Sequence, residues 1–429
     1  MMERYCVKPF THPIEKTVTV PGSKSMTNRA LFMAAMASGK SVLKGVLLSD
    51  DSKVFLGSLS SLGFEVLIDE EGKVVTLTGE GGHIPVNNAT IYVGSAGTAA
   101  RFLTAMLALS EGEATINCSE QMKNRPMKPL FDALTALGAT FTYLGEEGFL
   151  PVHVKGRGKS GLLNEVELDI SKSTQFLSAL LMSAPLLREG LKIHIVSAKK
   201  QGSYINITRK MMENFGVCSD FDGESYHVQG TEHYMAGEYI IEPDVSAACY
   251  FYALAALTGS SIIVKNVHFN SLQGDIKFLD VLQKIGCTVT DEPEGVKVTG
   301  KNDLCYEAVD INMNDFSDQT MTLAAMAPFM KGTTIIRNVG HIRLQESDRM
   351  QAILNELSRV GIECFSEGDD LIIKSGKIHG ADIETYEDHR MAMAFSLLGL
   401  KTEGIVIMDP MCCSKTFKEY FEVLDSLYE

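Results

Sequence analysis

The sequence predicts an α/β (α+β) protein with two domains, each made of three small repeated α/β units. The length of 429 residues exceeds that of a usual single domain. An Ala-, Leu- and Met-rich segment typical of a buried helix recurs six times along the chain. Short alternating segments typical of strands lie between these copies. Helices that alternate with strands indicate the α/β class, and six units divide evenly into two sets of three.

The first recurrent element is a helix that is apolar on nearly every side, which indicates burial all round. Each copy begins near a Ser, Thr or Asp able to accept a capping hydrogen bond, and reaches a Gly in its exit turn. Three such helices, packed in parallel under their sheets, would form the core of one domain. The six copies occupy residues 23–39, 96–112, 173–190, 244–260, 317–332 and 388–404.

The second recurrent element is an amphipathic helix that ends near a Gly and is followed in most units by two short strands. These glycines are Gly63, Gly138, Gly216, Gly286 and Gly361, so the repeat is 75, 78, 70 and 75 residues long. A sixth copy of the helix lies in residues 417–429. This period is too long for a solenoid and fits a unit with one buried helix, one exposed helix and a sheet.

The chain is expected to cross between domains near Val20–Pro21 and near Glu242–Pro243. The first domain is therefore predicted to span 21–242. The second is predicted to contain 243–429 together with residues 1–20, whose strand would join it.

Composition indicates a cytoplasmic protein. The nine cysteines include no C-x-x-C, which favours free thiols in a reducing compartment. No apolar run reaches the roughly 18 residues of a membrane span, and the N-terminus lacks a signal-peptide core. The histidines form no metal-ligand array, so neither a metal nor another cofactor is expected. A net charge of −15 disfavours nucleic acid, and monomer is the default.

Basic residues at the starts of the buried-type helices predict a site for anionic ligands. Parallel buried helices would present positive N-terminal ends to one surface, and nearby cations would strengthen the attraction. The segment "GSKS" is not a phosphate-binding P-loop, because Ser23 and Val18 stand where that motif requires Gly. The basic residues concerned are Lys24, Arg29, Arg101, Arg125, Arg349, Arg390 and Lys415. Two interleaved carboxylates, Asp318 and Glu346, are candidates for proton transfer.

Eight motifs resemble, in order and spacing, the 5-enolpyruvylshikimate-3-phosphate (EPSP) synthase family over essentially the whole chain. They are "PGSKSMTNRA", "SAGTAAR", "NRPM", "STQF", "SDQTMT", "QESDRM", "DHRMAMAFS" and "DP…SKTF". The resemblance implies two domains that close on the substrates, with the active site in the interdomain cleft. It implies transfer of the enolpyruvyl group of phosphoenolpyruvate to the 5-hydroxyl of shikimate 3-phosphate, the sixth step of chorismate and aromatic amino acid biosynthesis. Both substrates carry a phosphate and a carboxylate, which explains the need for Arg and Lys.

The resemblance also implies roles for particular residues. The shikimate 3-phosphate contacts are Lys24, Ser25, Arg29, Ser173, Thr174, Gln175 and Asp318. The phosphoenolpyruvate contacts are Lys24, Gly97, Arg125, Gln175, Arg349, Arg390 and Lys415. Gly97 would leave backbone room for the small ligand, and in sensitive members the same space admits the inhibitor glyphosate. Asp318 is the implied acceptor of the hydroxyl proton. Glu346 with Lys24 is implied in proton transfer at the methylene carbon.

The sequence departs from the usual family residues at several positions. Ser95 replaces Asn before Ala-Gly-Thr, Gln345 replaces the Lys before Glu346, and His341 stands where Asn is common. Arg343 is a hypothetical replacement for the charge lost at Gln345. Ser203 is the candidate for the serine that the family places shortly before "YINIT".

Two other functions compete with this interpretation. UDP-N-acetylglucosamine enolpyruvyl transferases share the repeat architecture, but they resemble "GAKNAALP" at the first helix and use a loop cysteine. Here that helix reads "GSKSMTNRA", and Cys118 lies outside any matching motif. A non-catalytic anion-binding module is the second alternative, and it would need no carboxylates such as Asp318 and Glu346 among its cations.

Overall fold

The computed structural model describes residues 3–158, 163–230 and 233–428. The chain divides into two units. We call Gly22–Ile241 the central unit, and Met1–Pro21 together with Glu242–Glu429 the terminal unit. Within the described ranges, every helix is too short or too polar to cross a lipid bilayer.

Both recurrent helical elements of the sequence are present in the two units. The helices are α1 Lys24–Met36, α2 Asp50–Ser61, α3 Gly97–Ala108, α4 Glu120–Lys123, α5 Lys128–Ala136, α6 Gln175–Ser183, α7 Ser203–Asn214, α8 Val245–Thr258, α9 Phe278–Ile285, α10 Thr320–Met326, α11 Arg349–Arg359, α12 His389–Gly399 and α13 Tyr420–Asp425. The Ala-, Leu- and Met-rich segments form α1, α3, α6, α8, α10 and α12. The fold class expected from the repeat is confirmed.

Short strands lie between the helices. They are β1 Arg4–Cys6, β2 Glu15–Val18, β3 Ser38–Lys44, β4 Glu65–Asp69, β5 Val74–Glu80, β6 Ala89–Tyr92, β7 Glu113–Asn117, β8 Thr140–Tyr143, β9 Val152–Lys155, β10 Glu165–Leu168, β11 Leu191–Ile195, β12 Asp220–Phe221, β13 Ser225–Val228, β14 Glu238–Ile240, β15 Ser261–Val264, β16 Thr288–Glu292, β17 Gly295–Thr299, β18 Asp310–Asn312, β19 Thr333–Arg337, β20 Cys364–Glu367, β21 Asp370–Lys374, β22 Ala381–Ile383 and β23 Ile405–Met408.

Five sheets share one strand pattern, in which a parallel pair is extended by two antiparallel strands. In the central unit the orders are β14-β3-β5-β4, β6-β7-β9-β8 and β10-β11-β13-β12. In the terminal unit they are β2-β15-β17-β16 and β18-β19-β21-β20, while β22-β23-β1 forms a shorter third sheet. A buried helix connects each consecutive parallel pair, as α3 does between β6 and β7, where Ala89 lies opposite Ala114. The shared pattern is the structural counterpart of the sequence repeat.

Three strands pair with strands that lie far from them in sequence. β14, at the end of the central unit, pairs in parallel with β3, and Tyr239 lies opposite Leu43. β2 pairs in parallel with β15 in the terminal unit, and β1 pairs antiparallel with β23. The N-terminal segment therefore supplies strands to two sheets of the terminal unit, whereas the sequence indicated a single strand.

The recurrent first helices are buried, as their composition predicts. Every residue of α3, α8, α10 and α12 is buried. In α1 the residues outside the core are Lys24 and Ser25, and in α6 the exception is Gln175. These polar residues all lie in the first turn, so partly exposed residues occur in the core helices only at their N-terminal ends.

Helix capping differs from the sequence expectation. Asp244 and Asp388 accept backbone hydrogen bonds from the first turns of α8 and α12. Within the described part of the chain, the residues that precede α1, α3, α6 and α10 make no side-chain capping bond. The Ser173 hydroxyl, one residue before Thr174, accepts from the backbone N–H of Gln175 at the start of α6. The prediction of a Ser, Thr or Asp cap is therefore wrong for α1, α3 and α10, partly because α3 begins after Ala96 and α10 after a 3-10 turn.

Candidate active site

In the central unit, side chains join the N-terminal turns of the three buried helices. Asn28 of α1 donates its amide to Thr98 of α3 at 2.6 Å. Arg101 of α3 donates to the Gln175 side-chain oxygen at the start of α6 at 2.5 Å. These turns bring together polar residues from sequence motifs that lie about seventy residues apart. We call Lys24, Arg29, Gly97, Arg101, Arg125 and Gln175 the central cluster.

Arg29 is a buried cation held by neutral oxygens. Its side chain is about 1% exposed and lies over the Phe102 ring, with Cζ 5.2 Å from the ring centroid. Nε donates to the Thr208 hydroxyl at 2.8 Å, Nη1 to the Ser25 carbonyl at 3.0 Å, and Nη2 to the Ser178 hydroxyl at 3.3 Å. Burial lowers the pKa of Arg29 to about 10, because desolvation disfavours the charged form.

Lys24 is the first residue of α1 and is only partly buried. Its ammonium lies 3.3 Å from the carboxylate of Asp51, a buried residue of α2. The adjacent Ser25 presents its carbonyl to Arg29. The three predicted residues of "SKSMTNR" therefore lie within the first two turns of α1, and Arg29 is the buried one.

Gly97 lies where two guanidinium groups approach the backbone. A Cβ at this position would stand 2.8 Å from Nη1 of Arg101 and 2.9 Å from Nη2 of Arg125. Nη1 of Arg125 donates to the backbone carbonyl of Ser95 at 3.2 Å. Since position 95 contributes a backbone oxygen to this bond, replacement of the usual Asn by Ser leaves the contact intact.

The predicted residues 173–175 lie at the N-terminal end of α6 and are half-buried. The Ser173 hydroxyl accepts from the backbone N–H of Gln175 at 3.3 Å, and Thr174 is the residue before the helix. Ser203 is the first residue of α7, the helix whose Thr208 holds Arg29.

The terminal unit gathers a second set of charges around Arg349. This side chain is also about 1% exposed. Nε donates to Asp388 Oδ2 at 2.7 Å, Nη1 to Asp318 Oδ1 at 3.1 Å, and Nη2 lies 2.9 Å from Glu346. Burial alone would lower the pKa of Arg349, but the charges of Asp388, Glu346 and Asp318 outweigh it and raise the pKa above its ordinary value. We call Asp318, Glu346, Arg349, Asp388, Arg390 and Lys415 the terminal cluster.

Asp318 is shared between two arginines. Its second oxygen accepts from Arg390 Nη2 at 2.9 Å, while the first accepts from Arg349. Lys415 lies in a 3-10 turn, with its ammonium 3.9 Å from Glu346. The two carboxylates expected to transfer protons therefore contact the cations expected to bind phosphoenolpyruvate.

Two of the residues that depart from the family pattern, Gln345 and His341, lie close to the terminal cluster in sequence. Gln345 accepts a short hydrogen bond from Arg349, and His341 Nε2 lies 2.8 Å from the hydroxyl of Ser317. The guanidinium of Arg343 is directed to Ser366 and Asp348 instead, at 3.4 and 3.7 Å. Gln345 therefore contacts Arg349 directly, whereas Arg343 contacts residues other than Arg349.

Sequence reasoning missed the residues that orient the cations. Asp388 is fully buried, binds Arg349 and accepts from the backbone N–H of Arg390 at 3.0 Å. Its capping role was predicted from its place directly before an Ala- and Met-rich helix, but its bond to Arg349 was not. Arg101 was recognised only as a helix-mouth cation, and its contact with Gln175 had no local sequence signal.

Comparisons with known proteins agree with the motifs. The model of the family described as EPSP synthase (3-phosphoshikimate 1-carboxyvinyltransferase) matches residues 10–424. A 3-phosphoshikimate 1-carboxyvinyltransferase of Nostoc punctiforme is 41% identical over 98% of this chain and 98% of that protein. One from Salmonella schwarzengrund is 40% identical over 99% and 98%. A solved EPSP synthase from Acinetobacter baumannii has the same fold, with a TM-score of 0.82, 24% identity, and coverage of 99% of this chain and 98% of that one. The chain therefore belongs to the EPSP synthase (3-phosphoshikimate 1-carboxyvinyltransferase) family.

Proposed function

We propose that this protein transfers the enolpyruvyl group of phosphoenolpyruvate to the 5-hydroxyl of shikimate 3-phosphate and releases phosphate. The observation that best supports the chemistry is Asp318, a carboxylate held between Arg349 and Arg390 at 3.1 and 2.9 Å. Such an arrangement places a proton acceptor next to cations that attract anionic substrates. A module that only bound anions would have no use for it, because a carboxylate competes with the ligand for the arginines.

Shikimate 3-phosphate would be bound mainly by the central cluster, and phosphoenolpyruvate by residues of both clusters. Shikimate 3-phosphate would contact the N-terminal turns of α1 and α6. The residues assigned to it are Lys24, Ser25, Arg29, Ser173, Thr174 and Gln175, with Asp318 at its reacting hydroxyl. Phosphoenolpyruvate would contact Gly97, Arg125, Gln175, Arg349, Arg390, Lys415 and Lys24. Support comes from the N-terminus of α1, which has no side-chain cap, since its N–H groups favour anions.

The reaction proceeds by addition and elimination. The methylene carbon of phosphoenolpyruvate gains a proton, its C2 becomes electrophilic, and the 5-hydroxyl oxygen bonds to C2 while Asp318 accepts the hydroxyl proton. The methyl group then loses a proton, the bond from C2 to the phosphate oxygen breaks, and phosphate leaves. We assign the proton transfers at this carbon to Glu346 and Lys24. Arg349 holds Glu346 at 2.9 Å, which fixes the position of that carboxylate.

The remaining features of the proposal follow from sequence and composition. The central and terminal units would be the two domains of the family fold, and residues of both would serve one reaction. The protein would act in the cytoplasm as a monomer, without a membrane partner. Its net charge of −15 disfavours binding to nucleic acid. The UDP-N-acetylglucosamine enolpyruvyl transferase alternative is not favoured, since the matching family model is that of EPSP synthase.

Phosphate release tests this proposal. The wild-type protein should release phosphate only when phosphoenolpyruvate and shikimate 3-phosphate are both present. Asp318→Asn should bind shikimate 3-phosphate in calorimetry but lower kcat by about a hundredfold or more, because a general base commonly contributes that much. Asp315→Asn is the matched control, since Asp315 is an exposed residue paired with Lys277. A kcat of Asp318→Asn within about threefold of wild type would remove Asp318 from the mechanism.

A further inference from the structure

A second buried carboxylate, Asp275, belongs to the hydrogen-bond network of Asp318 and Arg390. It lies in the 3-10 turn Gly274–Lys277 that precedes α9 and is about 6% exposed. Its Oδ2 accepts a short hydrogen bond from the Ser246 hydroxyl and a second from the Gln319 amide at 3.2 Å. Ser246 lies in the first turn of α8, and Gln319 follows Asp318 directly. The sequence motifs give no indication of this residue.

Asp275 determines how the Ser246 hydroxyl can be used. A serine hydroxyl has one proton and two acceptor lone pairs. Because that proton is directed to Asp275, the oxygen is left as an acceptor for Nη2 of Arg390, which lies 3.4 Å away. The same nitrogen lies 2.9 Å from Asp318, and Nη1 lies 3.4 Å from the Tyr250 hydroxyl. Arg390 is thus held from two sides, by Asp318 and by the Ser246–Asp275 pair.

The charges around Asp275 are predominantly negative. Asp318 and Asp244 face it from the starts of α10 and α8, Cys249 faces it from α8, and Arg390 is the facing cation. Burial raises the pKa of Asp275 to about 6, the charge of Asp318 adds to the increase, and Arg390 opposes it. An uncharged carboxyl group still has an oxygen that can accept from Ser246, so this contact does not require the charge of Asp275.

We propose that Asp275 is a positioning residue for Arg390: it orients the Ser246 hydroxyl so that the serine oxygen holds the guanidinium beside Asp318. The proposal rests on the function proposed above, in which Arg390 binds phosphoenolpyruvate and Asp318 accepts the hydroxyl proton. Asp275 itself contacts Ser246 and Gln319, and acts on the reaction through them.

Three variants test the two bonds of this contact. Asp275→Ala removes the acceptor of the Ser246 proton, and Ser246→Ala removes the acceptor of Arg390 Nη2. Each should raise KM for phosphoenolpyruvate about fivefold with a smaller change in kcat, because Arg390 is held less firmly. Asp275→Asn removes only the charge and keeps an oxygen that can accept from Ser246 and Gln319, so its KM should stay within about twofold of wild type. Asp280→Asn, at an exposed position of α9, is the matched control and should change neither quantity.

KM and kcat are to be measured by phosphate release with the full-length protein. A KM for phosphoenolpyruvate in Asp275→Ala or Ser246→Ala equal to that of wild type would overturn the positioning of Arg390. An Asp275→Asn variant with the raised KM of Asp275→Ala would overturn the role of the hydrogen bond. If Asp275→Ala does not fold, Ser246→Ala still tests the contact. A wild-type protein that releases no phosphate would refute the proposed function and this inference together. An active wild type with unaffected variants would refute this inference alone.

Discussion

Arg29 of the central cluster and Arg349 of the terminal cluster are equally buried, at about 1% exposure, but their hydrogen-bond partners differ in charge. Arg29 donates to the hydroxyls of Thr208 and Ser178 and to backbone carbonyls. Arg349 contacts three carboxylates, those of Asp388, Asp318 and Glu346. Burial accordingly lowers the pKa of Arg29 to about 10, whereas the carboxylates outweigh burial and raise that of Arg349.

The difference indicates a division of labour between the clusters. A cation among neutral oxygens keeps its positive field, which an anionic ligand can then balance. A cation among carboxylates is already balanced, and its partners are groups that can exchange protons. We therefore infer that the Arg29 surroundings serve mainly to bind a phosphate ester, and that the Arg349 surroundings serve mainly the chemical step.

Removal of Arg349 should give the largest change in stability. Arg349→Met would leave buried carboxylates without their cation, which costs about 3–5 kcal/mol of unfolding free energy in urea at pH 8. Arg29→Met leaves only neutral acceptors and should cost about 1–3 kcal/mol. The deficit of Arg349→Met should shrink at pH 5, because the orphaned carboxylates can then bind protons. Equal losses in the two variants, with the same pH dependence, would contradict the comparison.

A methyl group on Gly97 should weaken binding of phosphoenolpyruvate. The added Cβ would lie 2.8 Å from Arg101 and 2.9 Å from Arg125, so both guanidinium groups must move. We expect Gly97→Ala to raise KM for phosphoenolpyruvate about tenfold, with a smaller change in kcat, since misplaced positioning groups commonly cost that much or more.

Gly57→Ala is the control for Gly97→Ala. Gly57 lies in α2, and apart from its chain neighbours and the backbone of its own helix no described atom comes within 4 Å of a Cβ built there. This variant should leave KM unchanged and stabilise the fold by about 0.5–1 kcal/mol, because Ala favours the helix interior over Gly. A Gly97→Ala variant with the KM of Gly57→Ala would show that the two arginines adapt freely.

The smallest effect is expected at Arg343. Its guanidinium contacts Ser366 and Asp348 at 3.4 and 3.7 Å and is one-third exposed, and such surface contacts contribute little. Arg343→Ala should therefore change KM for shikimate 3-phosphate by less than about twofold. A rise of about tenfold would instead establish Arg343 as the replacement for the charge absent at Gln345.

The sequence predicted the repeated elements well because each depends on local pattern. The buried helices follow from Ala-, Leu- and Met-rich composition, and Gly63 and its four equivalents each have a positive φ at the helix exit. An N-terminal strand was expected to join the second domain, but the particular partners of β2 and β14 could not be predicted, since strand pairing depends on the path of the whole chain. The side-chain contacts of Asp388 and Asp275 were missed for the same reason, because their partners lie 39 and 29 residues away in sequence.

Hydrogen exchange on the full-length protein tests the division of labour most directly. With shikimate 3-phosphate alone, backbone amides in the first turns of α1, α6 and α7 should exchange more slowly, because the ligand would bind where Lys24, Gln175 and Ser203 lie. Exchange in these three turns that is the same with and without saturating shikimate 3-phosphate would contradict the assignment of phosphate-ester binding to the central cluster.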